Sequence, residues 1–545
     1  MGRGGPAGGR RGGRGGRAVT LPRHVDVLVA GSGASGLTAA AAAAAGGAAV
    51  LLVERSDELG GTSALSGGRV WVPANHCPEN AGDTVAAARA YLDGLFPARY
   101  AHMTEAFLRN APAMARFVEA RTPHRFAACP AYPDYHPARP GARLGGRCLD
   151  MAPADLSAMT PLARLVRKPP GYLPMTHAEW ERWRYPDRYD WDLLRRRERA
   201  GIRTNGVALV ASLVDGAVRA GVAVRAGARL VEVRLGADGA VAAAGVSRGG
   251  TTVQVAACAV IIATGGFDWD RRLRRRWHPA PQQASGAPPS NTGDAVRIAA
   301  RLGAAMDNMA EGWWMPMLAV PGEELDRRPF YRSLIRERAV PRQIMVNSAG
   351  LRFADEASPY NDVGKAMHLR GADGGYPNDP AYMIFDDGFR KRYPLPGLAP
   401  GGDVPGWIPR AGSLRELAAR IGVDPGGLER TVGRWNDACA KGEDPDFGRG
   451  GNAYDRYGGD PAAHPGPNLG PLDEPPYHAV RVLAGTIGTK GGPVTDENAV
   501  VLRAARGPGA AGGEPIPGLY AVGNAAAFWT GDARTPPPAP PWASA

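Results

Sequence analysis

Apolar residues near the start of the chain fall into two short runs that flank an alanine-rich segment. Residues 25–30 form a valine-rich run of strand length, and residues 48–53 form a second run that ends on Glu54. Between them, residues 37–45 have the composition of a helix, which Gly46 and Gly47 end. The pattern predicts strand, helix and strand within about thirty residues.

The turn that joins the first strand to the helix reads Gly-Ser-Gly-Ala-Ser-Gly over residues 31–36. In a dinucleotide-binding β-α-β unit, the first glycine allows the tight turn, the second lets backbone N–H groups approach a pyrophosphate, and the third lets helix and strand pack closely. Glu54 then accepts hydrogen bonds from a ribose diol. A glycine-rich turn without a ligand is the alternative, but strand, helix and acid all fall in the required order.

Helices and strands continue to alternate along the chain. The 3.6-residue period and the turn residues predict helices over 89–95, 105–121, 206–220 and 295–302, strands over 222–233, 240–246 and 259–264, a hairpin turn at 236–239, and a last strand over 518–522. Residues 123–200 show no clear period.

Residues 311–472 have a different character, with more Pro and Trp and short strands at 343–347 and 381–385. Ser413 and Glu416 form a capping box for a helix that stops at Gly422, and a second helix runs from Asp424 toward residue 440. At residues 479–490 the composition again resembles that of the first, nucleotide-binding part of the chain. This order predicts a second domain inserted into a nucleotide-binding one.

Residues 60–68 read Gly-Gly-Thr-Ser-Ala-Leu-Ser-Gly-Gly. So many small residues leave backbone groups and hydroxyls free to lie along a flat ligand, as a flavin ring and its ribityl chain require. A flexible loop without a ligand is the alternative.

The formal charge of +12 is concentrated at the start of the chain, because residues 1–24 contain six arginines and no acid. We expect this Gly/Arg-rich leader to be disordered, or to precede the true start of translation, and not to bind a specific nucleic acid. No apolar segment has the length of an export signal or a bilayer span. Five scattered cysteines suit a reducing compartment. The expected location is cytoplasmic, with peripheral membrane association left open.

Taken together, the glycine motifs resemble those of the FAD-dependent fumarate reductase and 3-ketosteroid dehydrogenase superfamily. They are the motifs at 31–36 and 60–68, Ala-Thr-Gly-Gly at 263–266, Asn-Thr-Gly-Asp at 291–294 and Gly-Leu-Tyr-Ala-Val-Gly-Asn at 518–524. Within it the chain is most similar to the 3-ketosteroid Δ1-dehydrogenases, through residues 132–135, 352–360 and 485–492. The likeness covers residues 25–531, and the Arg-rich stretch at 180–200 matches less well.

The resemblance implies an α/β fold in which a Rossmann-like FAD-binding domain, residues 25–310 and 473–531, carries an inserted α+β substrate (cap) domain, residues 311–472. It implies FAD bound noncovalently, since no histidine lies in the 60–68 loop. The expected cofactor-binding residues are Gly31, Ser32, Gly33, Ala34, Ser35, Gly36, Glu54, Arg55, Gly60, Gly61, Thr62, Ser63, Ser66, Gly67, Gly68, Ala263, Thr264, Gly265, Asn291, Gly523 and Asn524.

The same resemblance implies oxidation of a 3-ketosteroid to introduce a C1–C2 double bond. The position that matches the family's base is Tyr360, which takes the C2 proton while hydride leaves C1 for flavin N5. Tyr135 matches its partner. A free tyrosine has a pKa of about 10, so a neighbouring phenol that donates a hydrogen bond would help it to act as a base. Without the motif match, both would be ordinary half-buried aromatic residues.

Two other functions remain open at this point. A fumarate-reductase-like enzyme on a small dicarboxylate would need arginines to clamp carboxylates, but Ser358, Pro359 and Tyr360 stand where those enzymes place one. A non-catalytic flavoprotein, or a nucleic-acid-binding protein built on the basic leader, is the other. The expected substrate is a steroid or another apolar ketone, but which steroid is preferred and what accepts the electrons are not predicted.

The end of the chain departs from the family pattern. After Asn524 the family continues through a Tyr-Pro-x-x-Gly motif, which holds the steroid C3 oxygen, into a closing helix. Residues 532–545 form instead an aberrant Pro-rich tail that cannot make that helix. A one-base shift of the reading frame would restore Tyr-Pro-Ala-Ala-Gly there. We therefore expect a frameshifted family member with weakened FAD binding and little or no dehydrogenase activity.

Overall fold

The computed structural model describes residues 21–278, 282–505 and 512–530. Its α-helices are α1 (Ala34–Ala45), α2 (Gly61–Leu65), α3 (Val85–Leu92), α4 (Ala101–Arg121), α5 (His177–Trp183), α6 (Trp191–Ala200), α7 (Asn205–Arg219), α8 (Arg271–Trp277), α9 (Asp294–Arg301), α10 (Tyr360–Met367), α11 (Asp387–Arg392), α12 (Leu414–Ile421), α13 (Pro425–Lys441) and α14 (Ala453–Gly458). Its strands are β1 (His24–Ala30), β2 (Val50–Val53), β3 (Val70–Trp71), β4 (Phe126–Ala128), β5 (Cys148–Met151), β6 (Ala154–Asp155), β7 (Ile202–Arg203), β8 (Ala223–Arg225), β9 (Ala228–Leu235), β10 (Val241–Arg248), β11 (Thr251–Ile262), β12 (Ala284–Ser285), β13 (Met306–Asp307), β14 (Gly312–Leu325), β15 (Arg328–Ser333), β16 (Gln343–Asn347), β17 (Ala381–Phe385), β18 (Arg410–Ala411), β19 (Tyr477–Thr489), β20 (Gly492–Pro493), β21 (Val500–Leu502) and β22 (Pro515–Ala521).

The first sheet carries the predicted β-α-β unit. Its order is β21-β22-β11-β1-β2-β8, with β10 paired to β11 and β9 paired to β10. The five strands from β22 to β8 run parallel, and Leu28 and Leu51 at its centre are fully buried. Ala30 lies opposite both Val53 and Ile262. Because parallel strands end here in register, the turns that follow them meet at one edge of the sheet.

The glycine turn is what allows α1 to pack against the strand ends. Gly31 has a φ of 113°, and a Cβ there would lie 2.2 Å from the carbonyl oxygen of Ala263. A Cβ on Gly36 would lie 2.1 Å from the carbonyl oxygen of Gly31. Any side chain at either position would push the helix away from the sheet.

The predicted strand over 222–233 is in fact two strands. It breaks at Ala226 and Gly227, whose φ is 65°, so that β8 continues the parallel sheet beside β2 while β9 turns to pair with β10. The predicted hairpin turn at 236–239 is confirmed between β9 and β10. An apolar run alone does not reveal such a break, because both halves are buried strands.

The second sheet is mainly antiparallel and has the order β15-β14-β19-β17-β16. β19 lies between β14 and β17, although the sequence texture placed residues 479–490 with the nucleotide-binding domain. These hydrogen bonds assign β19 to the second sheet, which the composition of the segment does not indicate. The domain limits drawn from the sequence stay a prediction.

Helices α12 and α13 pack on the second sheet and have the predicted ends. The Ser413 hydroxyl accepts a hydrogen bond from the Glu416 backbone N–H at 3.2 Å, and Gly422 closes α12 with a φ of 72°. Asp424 caps α13 in the same way, accepting from the Gly427 N–H at 2.7 Å. Within the described ranges, no helix combines the length and the apolar run that a bilayer crossing requires.

Residues 123–200, which show no period in the sequence, contain short elements that pack around a loop. They are β4, β5, β6, α5 and α6. A signal for α5 was present, because Thr176 and Glu179 form a reciprocal capping box at its start. The loop between β4 and β5 holds Tyr135.

Arg147 anchors the β4–β5 loop that contains Tyr135. Its guanidinium, with a side chain 1% exposed, contacts Asp83 at 2.7 Å and Asp134 at 2.8 Å. Asp134 also accepts hydrogen bonds from the Trp71 indole at 2.7 Å and from the Arg143 backbone N–H at 2.9 Å. Both carboxylates are buried, so the loop next to Tyr135 depends on one buried cation.

Arg147→Met should therefore lower the free energy of unfolding by about 3–5 kcal/mol, because two buried carboxylates would lose their counter-charge. Urea denaturation followed by circular dichroism measures the loss. The matched control is Arg195→Met, which removes an exposed pair with Asp192 and should cost less than about 1 kcal/mol. Equal losses in the two variants would contradict a stabilising role for the buried network.

Candidate active site

Two cavities meet at Tyr360. One, of about 550 Å³, follows the carboxyl edge of the first sheet, and the other, of about 820 Å³, lies beyond it against the second sheet. We call them the nucleotide cavity and the substrate cavity. Their shared wall consists of Thr62, Ser66, Arg69, Val70, Trp313, Tyr360 and Ile487. A ligand in one cavity therefore comes within reach of a ligand in the other.

Glu54 is held at the closed end of the nucleotide cavity. Its side chain accepts hydrogen bonds from the Ser32 backbone N–H at 3.1 Å, from the Ser32 hydroxyl at 2.7 Å and from the Ser56 N–H at 2.9 Å. The Ser32 hydroxyl accepts in turn from the Gly60 N–H at 2.8 Å. These bonds orient the carboxylate at the end of β2 and tie the glycine turn to the 60–68 loop.

The amino end of α1 opens into the same cavity. Its N-cap, Gly33, has no capping side chain, and its first turn contains no acid. The Ala34 N–H donates to the Ser63 hydroxyl at 3.1 Å. Such an uncapped helix start favours a phosphate, because the helix dipole and the first N–H groups are available to it.

The donor groups along this cavity fit a flavin dinucleotide. The glycines at 31, 33 and 265 have no side chain that would keep a ligand away from the backbone. The buried Thr264 hydroxyl has no hydrogen-bond partner among the described residues. Asn291 donates to the Thr62 hydroxyl at 3.3 Å, and the Trp313 indole donates to Asn524 at 3.3 Å. Among the described residues that line the cavity there is neither His nor Cys, so a noncovalent cofactor stays the prediction.

Most of the sequence-predicted cofactor residues line the nucleotide cavity. Those that do are Gly31, Ser32, Gly33, Ala34, Ser35, Glu54, Arg55, Gly61, Thr62, Ser63, Ser66, Ala263, Thr264, Gly265, Asn291, Gly523 and Asn524. Gly36 packs behind the turn, and Gly60 packs against Ala64 and Val210. Gly67 and Gly68 line the substrate cavity instead.

The two predicted tyrosines meet although they lie far apart in the sequence. Tyr360 is the first residue of α10, and its ring centroid is 5.8 Å from that of Tyr135, with the ring planes at 78°. Burial raises the pKa of Tyr360, while a hydrogen bond from Tyr135 and the charge of Arg69 act in the opposite direction. Burial raises the pKa of Tyr135 well above its ordinary value. Of the two phenols, Tyr135 keeps its proton more firmly and is the hydrogen-bond donor. Tyr360 is the one whose anion is stabilised by its neighbours.

Sequence reasoning missed the rest of this aromatic cluster. Tyr454 lies 5.1 Å from Tyr135, and Tyr132 lies 5.0 Å from Tyr457, measured between ring centroids. The Tyr457 hydroxyl donates to Glu181. Tyr132 belonged to the quoted motif, but Tyr454 and Tyr457 come from the short helix α14, whose sequence carries no signal that it approaches this loop.

Arg69 forms the polar end of the shared wall. Its guanidinium lies 4.9 Å from the centroid of the Tyr132 ring and contacts the imidazole of His177. Burial lowers the pKa of His177 to about 3, so the imidazole is neutral near pH 7 and accepts from Arg69. The sequence held one signal that was missed, a single cation directly after the small residues of the 60–68 loop.

The described end of the chain packs against the substrate cavity. Phe528 and Trp529 contact Trp313 and Phe96 at ring-centroid distances of 5.1 Å, and Lys490 donates to the Thr530 carbonyl at 3.0 Å. The expected frameshift and the Pro-rich tail at 532–545 lie outside the described residues, as does most of the Gly/Arg-rich leader.

Comparison with known proteins indicates the same cofactor class as the donor groups of the nucleotide cavity. Residues 26–534 match the family model described as FAD binding domain. The chain is 40% identical over 517 residues to 4-oxocyclohexanecarboxylate 2-dehydrogenase of Sinomonas cyclohexanicum, covering 93% of this chain and 88% of that protein. It is 35% identical over 548 residues to 3-oxosteroid 1-dehydrogenase of Mycobacterium tuberculosis, covering 92% and 93%.

Among solved structures, the chain is similar to 3-ketosteroid delta1-dehydrogenase from Sterolibacterium denitrificans in complex with 1,4-androstadiene-3,17-dione. The TM-score is 0.85 at 36% identity, covering 93% of this chain and 95% of that one. The predicted α/β flavoenzyme fold and the predicted cofactor, FAD, are confirmed. This chain belongs to the FAD binding domain family and is an FAD-dependent dehydrogenase of the ketosteroid dehydrogenase type.

Proposed function

We propose that this chain introduces a carbon–carbon double bond beside the carbonyl group of a cyclic ketone. The observation that carries the proposal is the half-buried pair of Tyr135 and Tyr360 at the junction of the two cavities. Hydrogens on the carbon next to a carbonyl are the most acidic in such a ketone, and a phenolate is a base of suitable strength to remove one.

The two relatives' names support this reaction class. In 3-oxosteroid 1-dehydrogenase and in 4-oxocyclohexanecarboxylate 2-dehydrogenase, the named position lies two bonds from the oxo carbon. In both cases the new double bond would therefore be conjugated with the carbonyl group. The common feature is the ring ketone, not the steroid skeleton.

In this proposal Tyr360 acts as a phenolate, to which Tyr135 donates a hydrogen bond, and it becomes a neutral phenol when it takes the proton from the ketone. Arg69 adds a positive field that favours the anion. The aromatic residues around the pair exclude water, which keeps these interactions strong. FAD, when bound, supplies the two-electron acceptor for the reaction. The glycine turn, Glu54 and the uncapped start of α1 would hold it by its diphosphate and ribose.

The 3-ketosteroid predicted from the sequence is a narrower claim within this class. A cavity of about 820 Å³ lies in the range that accepts a ligand of drug size, and a steroid dehydrogenase is among the relatives. A ring keto acid is the second candidate, favoured by the half-buried Arg69 in the wall of that cavity.

Glu54→Gln should weaken FAD binding by about 1–3 kcal/mol, because the carboxylate would no longer be a charged acceptor for the ribose. Titration of flavin-free protein with FAD, followed by flavin fluorescence, measures the change. Glu58→Gln is the matched control, since the Glu58 side chain is 50% exposed and does not line the cavity. An unchanged Kd in Glu54→Gln would rule out the proposed ribose contact.

Tyr360→Phe should leave FAD bound but slow ketone-dependent flavin reduction by about 10²–10⁴-fold, as expected for loss of a general base. Rapid mixing with a cyclic ketone, followed at the flavin absorbance band, measures the rate. Tyr477→Phe, far from both cavities, is the control. Equal reduction rates in wild type and Tyr360→Phe would remove Tyr360 from the mechanism.

A further inference from the structure

The basic groups of the substrate cavity differ in whether a protein partner neutralises them. Arg332 binds the Glu323 carboxylate through two nitrogens, at 2.6 and 2.9 Å. Lys365 lies 3.8 Å from Glu311, and Lys490 donates to a backbone carbonyl. Arg69 lines the same cavity, but its recorded contacts are with neutral groups, the His177 imidazole and the Tyr132 ring.

A second cation increases the positive charge at this point. Arg336 lies over the Trp180 ring and within 3.4 Å of the same imidazole. Among the described residues, no carboxylate oxygen lies within 4.0 Å of a guanidinium nitrogen of Arg69 or Arg336, the distance at which the two would form an ion pair. Glu181, an acid that contacts the same imidazole, is bound by His177 at 3.3 Å and by the Tyr457 hydroxyl.

The described acids that line the cavity form no ion pair with Arg69. Burial lowers the pKa of Arg336, and the charge of Glu337 acts in the opposite direction. Asp134 is bound by Arg147, and Glu337 accepts hydrogen bonds from two backbone N–H groups of its own turn. Asp362 lies 3.8 Å from His136. Arg69 is half-buried, and a guanidinium partly removed from water is usually compensated by a carboxylate or phosphate bound by its fork of N–H donors.

We propose that Arg69 binds a carboxylate group of the substrate, so that the preferred ketone is a ring keto acid. This inference rests on the proposed ketone dehydrogenation. Arg69 and Tyr360 both line the wall shared by the two cavities, so the acid group sits close to the ring that loses hydrogen. That geometry fits a small alicyclic keto acid better than a steroid whose acidic side chain would lie several rings away.

The test compares three ketones as reductants of the bound flavin: 4-oxocyclohexanecarboxylate, its methyl ester, and the neutral steroid 4-androstene-3,17-dione. Wild-type holoenzyme should prefer the acid over the ester on the order of 10²-fold in kcat/KM, as expected for a buried charge pair. Arg69→Met should abolish that preference by raising KM for the acid alone. Because Arg69 also favours the Tyr360 anion, kcat should fall by a similar factor for the acid and the ester. Arg69→Lys should restore part of it, since it keeps the charge but not the fork.

Arg332→Met is the matched control, a cation of the same cavity that already has a carboxylate partner, and its acid-to-ester ratio should stay within about twofold. The flavin spectrum of each variant reports whether the cofactor is still held. Equal losses of kcat/KM for the acid and the ester in Arg69→Met, together with a shifted pH profile or flavin spectrum, would overturn the inference. Arg69 would then act only through the base Tyr360 or through the flavin. Rapid reduction by the neutral ketones with no dependence on Arg69 would overturn it too, but would leave the proposed function standing. No reduction by any of the three would count against the proposed function itself.

Discussion

The active site depends on how closely the backbone approaches itself at one edge of the parallel sheet. The carbonyl oxygen of Ala263 occupies the space where Gly31 would carry a side chain, and the carbonyl of Gly31 does the same for Gly36. These contacts bring α1, the end of β11 and the end of β2 to one place. Glu54, the uncapped helix start and the 60–68 loop can face a single cavity because the strands end there in register.

A second constraint fixes Tyr360 from the other sheet. Glu356, buried four residues earlier, accepts from Arg352 at 2.9 and 2.7 Å, from Arg449 at 3.1 Å and from the Met345 backbone N–H of β16 at 3.0 Å. This network ties the segment before α10 to the second sheet. It holds Tyr360 against Tyr135, whose loop depends on a different buried cation, Arg147. The approach of two separately anchored segments is what forms the phenol pair.

The chemistry of the site and its choice of substrate therefore have different physical origins. Paired phenols beside a flavin suit removal of a proton next to a carbonyl, whatever the rest of the ligand is. Which ketone enters depends on the walls of the substrate cavity, and we propose that Arg69 in that wall selects a carboxylate. The chain is 40% identical to a keto-acid dehydrogenase and 35% identical to a steroid dehydrogenase, so overall similarity does not distinguish the two substrates.

The sequence by itself determined the local units, because their signals are local. The β-α-β unit, the β9–β10 hairpin and the caps of α12 and α13 depend on period, glycine position and polar caps within a few residues. Tertiary structure decided which sheet receives β19, and it brought α14 and α5 to the loop of Tyr135. It also decided that Arg69 is half-buried without an ion-paired acid among the described residues, whereas Arg332 of the same cavity is paired with Glu323. Burial and charge compensation are sums over neighbours that are distant in the chain, so no single stretch of sequence contains them.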